Sequence, residues 1–333
     1  MLMTKDEYIK NIGGHHLVGC GVRNAKRFYF VARNDRQANE ASAISEAGVD
    51  KRVIEFFLDV PLERRMGRVT LSGLEMVVCS IAKFPIEQIV VVDSMAEVYS
   101  LGSGIKGIES PISKLIDKRN LGAISRVRTV DGYVYAVGSA HTVCRRLGKN
   151  DWESLNFNLP RETREDFDDE ERSDDMFFKD IAGFSQSDLY TIGGRGVVWH
   201  CDGKKWTRIP FPSNMYLHSV CCAGDGNVYI GAQSGTLFCG RENRWKMIHK
   251  GEYSLPFKDI VWHAGKVWCT SDYGLWTVDN GKLVAADVPD EIKVCAGHLS
   301  VADGVMLMAG HSGAAFHDGE KWQLIFNRLE MES

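Results

Sequence analysis

Leu189-Tyr190-Thr191-Ile192-Gly193-Gly194-Arg195-Gly196-Val197-Val198-Trp199-His200-Cys201-Asp202-Gly203-Lys204-Lys205-Trp206 holds two short β-type runs parted by a glycine turn, then an Asp-Gly pair and a tryptophan. Gly196 returns as Gly235, Gly274 and Gly313, 39 residues apart each time. Each of these glycines follows one strand-like run and precedes another, and nine or ten residues later stands a large apolar residue: Trp206, Trp245, Leu283, Trp322. Asp225-Gly226, Ala264-Gly265 and Asp303-Gly304 punctuate the unit before its second run. Asp202-Gly203, Asn280-Gly281 and Asp318-Gly319 do so before its fourth. Such pairs supply the positive φ of tight hairpins, so consecutive runs are antiparallel neighbours. Each unit is therefore a sheet of four short strands, here called A to D.

One such sheet cannot cover both of its faces. Copies stacked around an axis can, which is the logic of an all-β propeller. Extending the period backwards, 127–152 reads as another unit, 76–101 as one more, and the runs 26–32 and 52–58 as a first. A short helix or loop is inserted at 37–47. The expectation is a single propeller domain over 1–333 with blades at 15–60, 75–116, 121–157, 177–211, 216–250, 257–287 and 292–326. Six and eight blades are the alternatives left by the irregular first 70 residues. The pattern resembles the β-propeller superfamily. Ile192-Gly193-Gly194 followed by Trp206 is similar to a kelch repeat, although the other units lack the double glycine. Asp202-Gly203-Lys204-Lys205-Trp206 and Asp318-Gly319-Glu320-Lys321-Trp322 resemble an Asp-box without its preceding Ser/Thr. The periodic tryptophans, Trp152 included, are expected in blade packing rather than on a sugar platform.

Alternation of strand direction puts the B–C turns and the D–A connections on one face. The B–C turns carry His141, Arg195, Asp272, Tyr273 and His311. The same face receives an insertion at 161–175 with nine acids (among them Glu165, Asp166, Asp168, Asp169, Glu170, Glu171, Asp174 and Asp175) against three arginines. The chain has a formal charge of −4, so removing this segment's −6 leaves +2. The acidity of the molecule is one loop, which would steer a basic partner.

Composition narrows the function. The 333 residues are 44 % apolar and 25 % charged, ordinary for a globular chain. Net charge does not advertise nucleic acid. No apolar run has the roughly 18–20 residues that span a bilayer, and Met1-Leu2-Met3-Thr4-Lys5-Asp6-Glu7 lacks the order of a signal peptide. Nine scattered cysteines without a C-x-x-C pair read as buried reduced thiols in a cytoplasmic protein. No metal or cofactor is expected. Asp166-x-Asp168-x-Glu170 has Glu171 where a calcium loop needs Gly. Gly102-Ser103-Gly104-Ile105-Lys106-Gly107 reads as a turn rather than a phosphate cradle. No nucleophile motif is present.

The reading is a non-enzymatic, monomeric protein-binding propeller that captures a partner with a basic surface, with a toxin-neutralising immunity protein as the concrete form. The alternative is a carbohydrate-active hydrolase or lyase at the channel mouth, using acids such as Asp272 with Tyr273 and Arg195. A scaffold within a larger complex is the third possibility.

Overall fold

A computed structural model describes residues 1–41, 45–117, 121–161, 163 and 169–333. Its strands form seven four-stranded antiparallel sheets, each built from four consecutive strands. The protein is a seven-bladed β-propeller. The inner A strands are His15–Asn24, Val77–Ala82, Ile124–Val130, Phe178–Ser185, Leu217–Cys222, Asp259–His263 and His298–Ala302, for blades 1 to 7. The outer D strands are Met66–Leu71, Ile105–Ile108, Asp151–Ser154, Trp206–Arg208, Arg244–His249, Lys282–Ala285 and Trp322–Asn327. Blade 1 thus runs past the residue-60 limit read from the sequence. Its B–C connection carries the helix Asp35–Glu40, capped by Asn34.

The tight turns divide into two kinds. Asp131-Gly132, Ala264-Gly265, Asn280-Gly281 and Asp303-Gly304 have positive φ at both residues, as a two-residue antiparallel hairpin requires. At Asp202-Gly203 and Asp318-Gly319 only the glycine does. There the aspartate accepts two backbone N–H bonds instead, Asp202 from Lys204 and Lys205 (both 2.9 Å) and Asp318 from Glu320 (3.1 Å) and Lys321 (2.9 Å). These are Asx turns, wider than the expected hairpin type.

A second glycine device sits where strand B ends. A Cβ on Gly138, Gly193 or Gly310 would overlap the carbonyl oxygen of Ala123, Phe177 or Ala296. Those carbonyls belong to the chain entering strand A, so a bare backbone lets it cross close over strand B.

Apolar side chains fill the spaces between adjacent blades. Trp206 is buried and donates its indole N–H to Leu155 O (2.8 Å). Trp152 is buried, and Trp245 and Trp322 pack against inter-blade clusters. All nine cysteines are free of disulfides. The ring closes without strand exchange. Met3 N donates to Ile325 O (2.9 Å), and Tyr8 donates to Glu332 (2.6 Å).

Histidine burial gives the fold an acid-side weakness. His263 Nε2 and His317 Nδ1 lie 2.9 Å apart between Trp268 and Trp322. One ring must donate and the other accept, so a doubly protonated pair loses the bond. Burial, then the His317 charge, lowers the His263 imidazole to about 4. Burial also lowers His317. Both rings therefore gain protons more readily when unfolded. Their stabilisation is full above the unfolded value of roughly 6.5 and is lost as pH falls from there toward 4. Unfolding free energy measured by urea titration should decline across that window, and His263→Gln should flatten the decline. An identical slope in the variant would exclude the pair as its source.

Candidate functional site

The two ends of the propeller differ. The A–B and C–D ends are mostly two-residue hairpins. The helices Lys5–Asn11, Asp35–Glu40, Ile112–Leu115, Glu170–Asp175, Asp290–Lys293 and Arg328–Glu332 all lie in B–C or D–A connections or at the chain ends, on the opposite face. Longer connections on a rigid ring are where a binding surface is most readily built.

The residues proposed from the sequence separate once folded. Asp174, Asp175 and Arg195 come together. Asp174 accepts from the Tyr216 hydroxyl and pairs with Arg195 (3.5 Å), while Asp175 pairs with Arg208 (3.2 Å). His141 N donates to Met176 O (2.8 Å). The end of the acidic segment is therefore strapped across the B–C turns of blades 3 and 4. His141 is covered by this strap. It is 3 % exposed, rests on Phe178 and Trp199, and has Nδ1 3.0 Å from Pro160 O. This corrects its placement on the binding surface. Burial also lowers its imidazole. Asp272 pairs with Lys258, and beside it Tyr273 is 83 % exposed. His311 does not meet His141. It lies against His16 (5.2 Å between rings), whose Nδ1 is 2.6 Å from Asp35, itself bonded to Arg328 (2.7 Å). Asp169 accepts from Arg172 N (3.2 Å), and Glu170 and Glu171 open the helix Glu170–Asp175. Glu165, Asp166 and Asp168 lie outside the described residues.

The axis holds a cluster that the sequence reading missed. Arg128, from the inner strand of blade 3, grips Asp180 of blade 4 with two bonds (2.9 and 2.8 Å) and Asp259 of blade 6 with a third (2.6 Å). Arg126 crosses alongside, donating to Lys258 O (3.1 Å) with Asp259 at 3.5 Å. Each aspartate also accepts a backbone N–H of the next blade, Asp180 from Val220 (3.2 Å) and Asp259 from Leu299 (3.0 Å). Burial pushes the Asp259 carboxyl up. Arg128, Arg126 and His298 outweigh it and hold the group well below the ordinary carboxylate range. This cluster bridges the channel. A cavity of about 480 Å³ opens toward the A–B hairpins, past Lys83, Gly224 and Ala302, with Arg128 at its inner end. Toward the helical face, at or within one residue of the start of their inner strands, stand Lys179, His218, Lys258 and His298, spaced 39, 40 and 40 residues apart. That recurrence of basic residues was the signal available in the sequence.

Asp259 is kept ionised and so has no proton to give, and Asp272 is bound to Lys258. Among the described residues no group of three His, Cys, Asp or Glu side chains is placed to hold a metal ion. Among the described residues no helix is long and apolar enough to cross a membrane.

No family model matches the chain. Among solved structures, it superposes on PorZ, a surface component of the type-IX secretion system of Porphyromonas gingivalis. There the TM-score is 0.60 at 10 % identity, covering 93 % of this chain but only 38 % of that one. The WD40 propeller domain of Doa1 aligns with a TM-score of 0.59 at 12 % identity, covering 90 % and 91 % of the two chains. YCF48 bound to D1 peptide aligns with a TM-score of 0.58 at 12 % identity, covering 94 % and 93 %. These likenesses establish the fold alone. A curated relative goes further, being 30 % identical over 252 residues that make up 75 % of this chain and 80 % of its own length. By that relationship the chain belongs to the family of the immune protein Tsi7 of Pseudomonas aeruginosa.

Proposed function

We propose that this protein is a toxin-neutralising immunity protein that binds its target in the cytoplasm as a one-to-one complex. The binding surface is the face of B–C turns and D–A connections, with the acidic segment 161–175 set against a basic surface of the toxin. The observation that carries this reading is kinship with a protein named for immunity, at 30 % identity over 80 % of that protein's length. The helices gathered on one face and the −6 charge of one connection there support the choice of surface.

Tyr273 is the anchor on that face. An exposed tyrosine brings a large, stiff, amphipathic surface at low entropic cost, the property that makes aromatic residues binding hot spots. Beside it Asp272 is held by Lys258, so the turn is already ordered. Tyr273→Ala is expected to weaken capture at least tenfold while leaving the melting temperature unchanged, since the side chain touches solvent rather than core.

The test begins with a toxin encoded beside this protein's gene. Co-expression should restore growth, and the two purified chains should co-elute as a one-to-one complex. Unrelieved toxicity together with separate elution would overturn the reading.

A further inference from the structure

We infer that the channel mouth on the helical face is an anion site, built from Lys179, Arg126 and His218, that receives an acidic side chain of the bound toxin. This rests on the capture reading above.

The first observation is a pair of bulges. In blade 4 the ladder passes from Phe178↔Gly193 to Asp180↔Ile192 and omits Lys179. In blade 5 it passes from Leu217↔Ala232 to Ser219↔Gly231 and omits His218. A bulged residue leaves the alternation of its strand and is re-aimed. Blades 3, 4 and 5 are all bulged at the second residue of the inner strand, where blade 3 carries Ser125 and blades 4 and 5 carry the basic Lys179 and His218.

The second observation is an imbalance of charge. Arg126 and Arg128 are matched by Asp180 and Asp259, and Lys258 by Asp272. Lys179 has no carboxylate within ion-pair distance among the described residues, and its ammonium lies 6.0 Å from the Phe177 ring. The mouth therefore holds one positive charge in excess. Beside it the Arg126 Nε is buried and without a hydrogen-bond partner, with Asp180 Oδ1 at 3.8 Å.

The three groups feel one another. Burial, then the Lys179 and Arg126 charges, lowers the His218 imidazole to about 4. Burial, then Arg126, lowers Lys179. A carboxylate seated among them would relieve both repulsions and satisfy the Lys179 ammonium. The complementary partner is then mixed in charge, with a basic surface for the acidic segment and an acidic side chain for the mouth. Such a pattern rejects partners that carry only one of the two signs.

The site is testable without the toxin. The full chain, labelled at lysine Cε and histidine Cε1, would be titrated with sodium acetate at neutral pH, with sodium chloride at equal ionic strength as the control. Lys179 and His218 signals should shift saturably with acetate beyond the chloride response. Lys179→Met should abolish the His218 shift, and Lys179→Arg should keep it. In the complex, Lys179→Met should lower toxin affinity about tenfold. Absence of a saturable acetate shift, or an unchanged His218 response in Lys179→Met, would overturn the site. So would saturation by inorganic phosphate with none by acetate, which assigns the mouth to a phosphate ligand. Because acetate binding is read on the isolated chain, its failure leaves capture through the acidic segment untouched. Failure of toxin capture, conversely, is read by co-expression and co-elution of the unsubstituted chain.

Discussion

Asp259→Ala should lower the melting temperature by about 6–10 °C, the largest loss expected from any single substitution in the channel. The reasoning begins with charge. Arg128 and Arg126 are mostly buried, and Asp259 is one of the two carboxylates that neutralise them. Removing one partner of a buried ion pair typically costs about 3–5 kcal/mol, because the other charge stays in a poorly solvating place. For a chain of this size each kcal/mol shifts the midpoint by roughly 2 °C. One further loss adds to it: Leu299 N gives up its acceptor. The double variant Arg128→Met/Asp259→Leu removes one charge of each sign and leaves Arg126, 3.8 Å from Asp180, to neutralise that carboxylate, so it should be more stable than Asp259→Ala alone, in which two arginines share one carboxylate. Thermal melts of the two variants check the claim. A fall below about 2 °C for Asp259→Ala, or a double variant worse than the single, would show that the cluster does not hold the ring.

The same cluster explains why part of this protein was legible in its sequence and part was not. Turns are read locally. Asp303-Gly304 or Asn280-Gly281 needs positive φ whatever surrounds it, so these pairs and the 39-residue spacing of Gly196, Gly235, Gly274 and Gly313 give away the repeat. Outer strands are weaker signals. Met66–Leu71 touches the sheet along one edge and leaves most of its side chains partly or fully exposed, and the connection before it has no Asn-Gly or Asp-Gly. Its composition therefore looks like loop. The channel is harder still, because Arg128, Asp180 and Asp259 are 52 and 79 residues apart in sequence and meet only when the ring closes. In isolation each looks like an ordinary surface charge. His141 fails for the opposite reason. A turn residue is expected to face solvent, but the strap ending at Met176 folds over it, and nothing local to residue 141 announces that.

The strap also decides how the acidic segment should be tested. Cutting out 161–175 whole would remove Asp174 and Asp175, which hold Tyr216, Arg195 and Arg208, and would uncover His141. A loss of binding could then come from collapse of the face rather than from missing charge. Exchanging Glu162, Glu165, Asp166, Asp168 and Asp169 for their amides keeps the length and the strap while deleting five negative charges. If the segment steers a basic toxin, the association rate at low salt should fall at least tenfold, because electrostatic steering raises encounter rates by about 10- to 1000-fold. The dissociation rate should change much less, since rim charges act mainly on encounter. Raising the salt should bring the two proteins together in rate, as screening removes from the native protein what the amides remove from the variant; the screening length is only about 8 Å at physiological ionic strength. Stopped-flow association at several salt concentrations measures all three. Equal association rates at low salt would mean that the segment contributes no steering, and the toxin would then have to be recognised by Tyr273 and the channel mouth alone.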